Sequence, residues 1–186
     1  MRTMKIIFIS IFLFTSIDSY SQEMDNWKEF KSDNFGFKVE FPKTPNESSH
    51  KVNSENGFIQ MNILSVDCQK DRNSKNFVYL MNYSKYPDSF FIGYSKEDYD
   101  SFFDSLIQGM INGNTMGDAR LQERKTLNLS GSQGREIKII FNKGVAVTSA
   151  RFILKGNNIF VMYVTTDVNK VPNADIHRFF NSFKFL

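Results

Sequence analysis

Short runs in which apolar and polar residues alternate, each closed by a group of turn-forming residues, occupy most of this chain and commit it to a sheet-based fold. Phe37, Val39 and Phe41 alternate with Lys38 and Glu40, Ile59, Met61 and Ile63 alternate with Gln60 and Asn62, and Ile137, Ile139 and Phe141 repeat the same period. A period of two puts the apolar members on one face of a strand. The spacing predicts a hairpin over residues 27–41 turning at Asp33 and Asn34, with Pro42 and Pro45 ending it. A polar strand at 48–52, a turn at 53–57, a strand at 59–66, a loop at 67–76 and a strand at 77–83 follow. The last strands, at 120–129, 137–141, 145–154 and 159–166, read as a meander. Their turns are a Gly-rich one at 130–134, Asn142-Lys143-Gly144, and Gly156-Asn157-Asn158.

Two segments change period. Ser95 with Asp98 three residues on resembles a capping box, Phe102, Phe103, Leu106, Ile107 and Met110 share one helical face, and Gly113 is a natural stop. After Pro172, Ile176, Phe179, Phe180 and Phe183 share another. Each helix has a single apolar stripe, so each is expected to lie on a sheet, which makes the fold α+β.

The N-terminus has a different logic. Arg2 and Lys5 precede an apolar run from Ile6 to Phe14 broken only by Ser10, and Ser19-Tyr20-Ser21 supplies small residues at the two positions a signal peptidase reads. The run is shorter than the roughly 20 residues that span a bilayer. Residues 1–21 are therefore expected to be a cleavable signal peptide with Gln22 as the new N-terminus, and residues 22–186 a single domain, secreted or periplasmic. The alternative, a buried helix of the mature fold, does not explain why the two basic residues stand just before the run. A lipid anchor would need a cysteine after the apolar run, and the first cysteine is Cys68.

Removal of such a leader leaves 21 basic and 19 acidic residues, dispersed along the chain. No run of Lys and Arg is dense enough to grip a phosphate backbone, so nucleic acid is not expected as a partner. With 41% hydrophobic residues, 20 of all residues being Phe, the chain is too apolar to stay disordered. Cys68 has no second cysteine to pair with, and an unpaired thiol at a strand end is the plainest reading of it.

The pattern Phe30-x-Ser32, then Gly36-Phe37-x-Val39-x-Phe41-Pro42-x-x-Pro45, resembles the start of PsbP-like domains of the Mog1/PsbP superfamily. Leu129-x-Gly131-x-x-Gly134-Arg135-Glu136 and the ending Arg178-Phe179-Phe180-x-Ser182-Phe183 agree with it. The likeness spans most of the chain after the leader. It implies an antiparallel sheet flanked by helices, an α/β/α sandwich. Its members include a photosystem II extrinsic subunit, a nuclear-transport GTPase cofactor and bacterial envelope proteins, so the resemblance implies binding to another macromolecule and names no chemistry.

No catalytic, metal or nucleotide motif appears, and no cofactor is expected. Ser132 follows Gly131 but leads into a strand, where a nucleophile elbow needs a strand-to-helix turn with Gly two residues to either side. His50 and His177 are the only imidazoles, and His177, beside Ile176 and Arg178, reads as a half-exposed helix residue. Asp98, Asp100 and Asp104 with Glu97 lack the ligand order of a calcium loop and read as a solvated helix face. Gly109, Gly113 and Gly117, four apart, read as helix end and loop, since Asn112, Asn114 and Thr115 between them exclude a lipid setting.

One feature points to binding. Tyr83, Tyr86, Phe90, Phe91 and Tyr94 crowd a segment that reads mostly as loop, and such rings suit a partner-binding surface, with at least two expected to be exposed. The competing reading has them capping the sheet and filling the core beneath the loop. The sequence thus leads to a non-enzymatic exported protein that binds an unidentified protein or envelope component. The alternative is a hydrolase or other enzyme with a site assembled from scattered residues. An aromatic groove favours the first, and a pocket holding two titratable groups within hydrogen-bond reach the second.

Overall fold

The computed structural model describes residues 27–54, 57–113 and 117–186. The expected leader, its cleavage site, the tip of the 53–57 turn and Asn114 and Thr115 lie outside them. In chain order the elements are β1 (Lys28–Ser32), β2 (Phe37–Phe41), β3 (Asn46–Ser54), β4 (Gly57–Asp67), β5 (Asn76–Lys85), α1 (Lys96–Asn112), β6 (Arg120–Leu129), β7 (Ser132–Phe141), β8 (Ala146–Lys155), β9 (Asn158–Asp167), α2 (Ala174–Ser182) and β10 (Lys184–Phe185).

All strand pairing among the described residues is antiparallel. β1, β2 and β10 make a small sheet with β2 in the middle, and the other strands make a seven-stranded sheet in the order β3-β4-β5-β9-β8-β7-β6. The expected meander is there, as β6 to β9, and it docks through β9 onto β5.

The period-two alternation divides the large sheet into two faces. On one, Leu64, Met81, Phe160, Met162 and Val164 meet Phe37, Val39 and Phe41 of the small sheet and Phe179 of α2. On the other, Ile137, Ile139, Phe152 and Ile159 meet Phe103 and Ile107 of α1 and Phe91 of the 86–94 loop. The result is an α+β sandwich with a helix on each side of the sheet.

Both helices start where side chains satisfy their first amides, which have no partner within the helix. The Asp98 N–H donates to Ser95 Oγ at 3.2 Å and the Ser95 N–H to Asp98 Oδ2 at 2.8 Å, completing the expected capping box. Asn173 caps α2, accepting from the Ile176 N–H at 3.0 Å, and its side-chain amide donates to Asn76 of β5 at 2.9 Å.

One turn differs from expectation, and a second, where expected, takes a tight form. The 130–134 turn closes within Ser130 and Gly131, both at positive φ, and Gly134 lies inside β7, where a Cβ would run into the Phe152 carbonyl of β8. Close strand approach, not turn geometry, requires glycine there. Asn142–Gly144 forms a 3₁₀ turn in which the Asn142 and Lys143 amides donate to the Asp118 carboxylate at 2.8 and 2.5 Å.

Candidate binding groove

After β5 the chain leaves the sheet and crosses its end to reach α1. The Tyr86 N–H donates to the Asn157 carbonyl of the β8–β9 turn at 2.8 Å, and the Asn157 amide donates to Asp88 at 3.0 Å, so the loop is anchored at its start. Backbone bonds from Phe90 to Pro87, Ile92 to Ser89 and Tyr94 to Phe91 then wind it into consecutive tight turns. This winding brings Tyr86, Phe90, Phe91 and Tyr94 together against Tyr99 and Phe102 of α1. Tyr86 and Phe90 lie 4.6 Å apart between ring centroids, and Phe91 meets Phe102 edge-on at 5.1 Å, separations at which aromatic pairs attract.

Phe91 is buried at the base of this cluster, whereas Tyr86, Phe90 and Tyr94 line a groove and are half-buried instead of exposed as expected, because they pack on one another and on α1. Its other walls are Phe102 and Leu106 of α1 and Val52 and Ile59 of the β3–β4 hairpin, and its volume is about 680 Å³, within the size of a small-molecule or side-chain site. Ser101 and Ser105 supply hydroxyls. Asp98 also lines it, but its carboxylate accepts the Ser95 amide, and that hydrogen bond holds it below the usual carboxylate range. Burial pushes the Tyr86 phenol up, which keeps it a neutral hydrogen-bonding group.

Tyr83 is not part of this site. It sits opposite Phe160 in the β5–β9 register and points to the other face of the sheet, buried against Phe35 at 4.8 Å and Phe37 at 5.0 Å. The alternation Tyr79, Met81, Tyr83 was the available signal for this, because β5 continues to Lys85 and the loop begins only at Tyr86. The sequence reading missed the groove walls formed by Val52, Ile59, Phe102 and Leu106. The first two come from a hairpin remote in sequence, and the helix pair reads as core.

The other singled-out residues are dispersed. Ser132 is the buried first residue of β7, His50 is exposed on β3, His177 is exposed on α2, and Cys68 lies in the core beneath the small sheet, where burial pushes its thiol up. Glu97, Asp98 and Asp104 are exposed, as a solvated helix face requires, and Asp100 and Asp104 in addition form ion pairs with Arg135 and Arg124, because α1 lies along β6 and β7. Among the described residues no cluster of three His, Cys, Asp or Glu could hold a metal ion, and no helix is long and apolar enough to cross a membrane.

Of the other clefts among the described residues, two are the most distinct in character. One of about 400 Å³ at the far end of α1 is lined by Phe77, Val78, Met110 and Tyr163, with Thr148 and Thr165 sharing a 2.9 Å hydrogen bond. The other, about 260 Å³, is charged. In it Lys38 pairs with Glu29 and Arg178 with Glu40, each at 2.7 Å.

No family model matches the chain, and no curated protein matches it in sequence. Among solved structures, the chain is similar to cyanobacterial PsbP from Synechocystis sp. PCC 6803, with a TM-score of 0.54 at 10% identity over 89% of this chain and 96% of that one. A structure from Bacteroides thetaiotaomicron matches with a TM-score of 0.44 at 13% identity, over 87% of this chain and 49% of that one. The first of these shows that the chain has the PsbP-like fold.

Proposed function

We propose that this is an exported, non-enzymatic protein that binds another macromolecule or envelope component through the groove formed by Tyr86, Phe90 and Tyr94. The observation that carries the reading is the composition of that groove. Three half-buried aromatic side chains, with Phe102 and Leu106 behind them, form a stiff apolar wall, and the one carboxylate beside them is already committed to capping α1. Rings held rigid by their neighbours lose little entropy on binding, and aromatic anchors of this kind commonly dominate an interface. The place for an enzyme of scattered residues is the charged cleft. There, however, both carboxylates accept from a basic side chain, and the paired charges bridge β1 to β2 and β2 to α2.

Capture from envelope extract tests the reading. Phe90→Ser and Tyr94→Ser should lose a partner that the unsubstituted protein retains, while Leu121→Ser, on the distant strand β6, should keep it. Equal capture by all of them overturns the groove as the binding surface. Export has its own test. The mature protein should begin at or near Gln22 with residues 22–186 as one domain, and mass spectrometry of native protein that still carries Met1 to Tyr20 would exclude the cleavage.

A further inference from the structure

The two edges of the large sheet are built differently. β6 carries Arg120, Glu123, Arg124 and Lys125, its pairing with β7 is interrupted between Leu121 and Glu123, and Arg124 is tied to Asp104 of α1. Charges and bulges of this kind keep a strand edge from pairing with another chain. β3 has no such irregularity. Its register against β4 runs without a shift from Asn46 opposite Ser65 to Ser54 opposite Gly57, and residues 46–52 are exposed. A long, regular strand whose outer edge pairs with no described strand is a template for a further strand.

The sequence of that edge is complementary to itself. It has one carboxylate and one lysine between positions 46 and 52, Glu47 and Lys51, and neither forms an ion pair with another described residue. In a symmetric antiparallel pairing of β3 with a second β3, facing residues lie on the same side of the sheet, so only registers that pair even with even and odd with odd positions are allowed. Placing Glu47 on the two-fold axis sets Glu47 against Glu47, and placing Lys51 there sets Lys51 against Lys51. Placing Ser48 or His50 there gives neither residue a charged partner. Only with Ser49 on the axis does Glu47 face Lys51 of the second copy, twice over by symmetry. Ser48 then faces His50, Asn46 faces Val52, and Pro45, which has no amide to donate, ends the ladder.

We propose that β3 is a self-association edge, through which two copies of this chain pair antiparallel about Ser49 to form one continuous sheet closed by the reciprocal Glu47–Lys51 contacts. The odd positions Glu47, Ser49 and Lys51 lie on the sheet face away from the aromatic groove, whereas Val52 faces the groove alongside Ile59. The reciprocal charged contacts therefore form on the face away from the groove, while Asn46 of the second copy meets Val52 at the groove's rim. A single strand pair buries little area, so the dimer is weak and concentration-dependent.

Sedimentation of the purified full-length protein over a concentration series tests this. The unsubstituted chain should show a monomer–dimer equilibrium. Glu47→Lys and Lys51→Glu each turn two attractive contacts into two repulsive ones and should each weaken the dimer by about tenfold, by the usual size of cross-strand charge pairs. Mixing the two variants sets the paired lysines of one copy against the paired glutamates of the other, so the mixture should dimerise although each variant alone does so poorly. Melting curves verify that both variants fold, as both side chains are exposed. A protein that stays monomeric throughout, a dimer indifferent to either substitution, or a mixture no more associated than its components would overturn the proposal.

Discussion

The guanidinium of Arg135 on β7 lies 4.7 Å from the ring centroid of Phe103 and donates to Asp100, one turn earlier on the same helix. A charged group thus fastens α1 to the sheet from inside an otherwise apolar face: the Arg135 side chain is 8% exposed and its partner 43%. Its second donor goes to the Gly134 carbonyl at 2.7 Å. Breaking a buried pair leaves one charge stranded, whereas replacing the charge by an apolar side chain of similar size removes the problem along with the bond.

Asp100→Ala should therefore destabilise the fold by about 1 to 3 kcal/mol, the lower end of the range for a stranded buried charge because water reaches Asp100. Arg135→Met should stay within about 1 kcal/mol of the unsubstituted protein, since it keeps the packing over Phe103. Urea melts of the two variants decide it, and equal losses would mean that packing alone holds α1.

Two glycines should respond to alanine with opposite signs. Gly134→Ala drives a Cβ into the Phe152 carbonyl and should cost about 1 to 3 kcal/mol by overpacking. Gly109→Ala meets nothing within 4 Å on α1 and should stabilise by about 0.5 to 1 kcal/mol. Thermal melts of both, side by side, check the pair.

Phe103 and Phe179 are each 0% exposed, on the helices that cover opposite faces of the sheet. Phe→Ala at either should cost about 3 to 5 kcal/mol. A denaturant melt showing less than about 1 kcal/mol, the usual range for surface sites, would put that ring outside the core.

Alkaline pH should unfold this protein. Burial raises the phenol pKa of Tyr79, Tyr83, Tyr86 and Tyr163 above that of an unfolded tyrosine, for Tyr79 against the lowering effect of the Asn76 hydrogen bond. The unfolded chain then releases protons first, so stability is complete below about pH 10 and falls as pH rises beyond it. Tyr163→Phe should melt like the unsubstituted protein near pH 8 and lose less above pH 10, with phenolate absorbance reporting the ionisation. Parallel loss in both proteins would show that Tyr163 ionises equally in both states.

Local features were readable from the chain alone. The alternation around Phe37, Ile59 and Ile137 set the strands, and Ser95 with Asp98 set the start of α1, because side-chain period and capping act within a few residues. The same alternation, carried through Tyr79, Met81 and Tyr83, contained the fact that Tyr83 faces away from the loop rings. What those rings meet depends on the assembled fold. Val52 and Ile59 reach the groove because β3 and β4 lie beyond β5 in the sheet, and Phe102 and Leu106 reach it because α1 crosses the face next to them. Strand order arises from long-range pairing that no nearby residue encodes, and so does the position of β3 at the edge of the described sheet. The residues that could bind a partner are legible in the chain, while the surfaces they form exist only once the sheet is assembled.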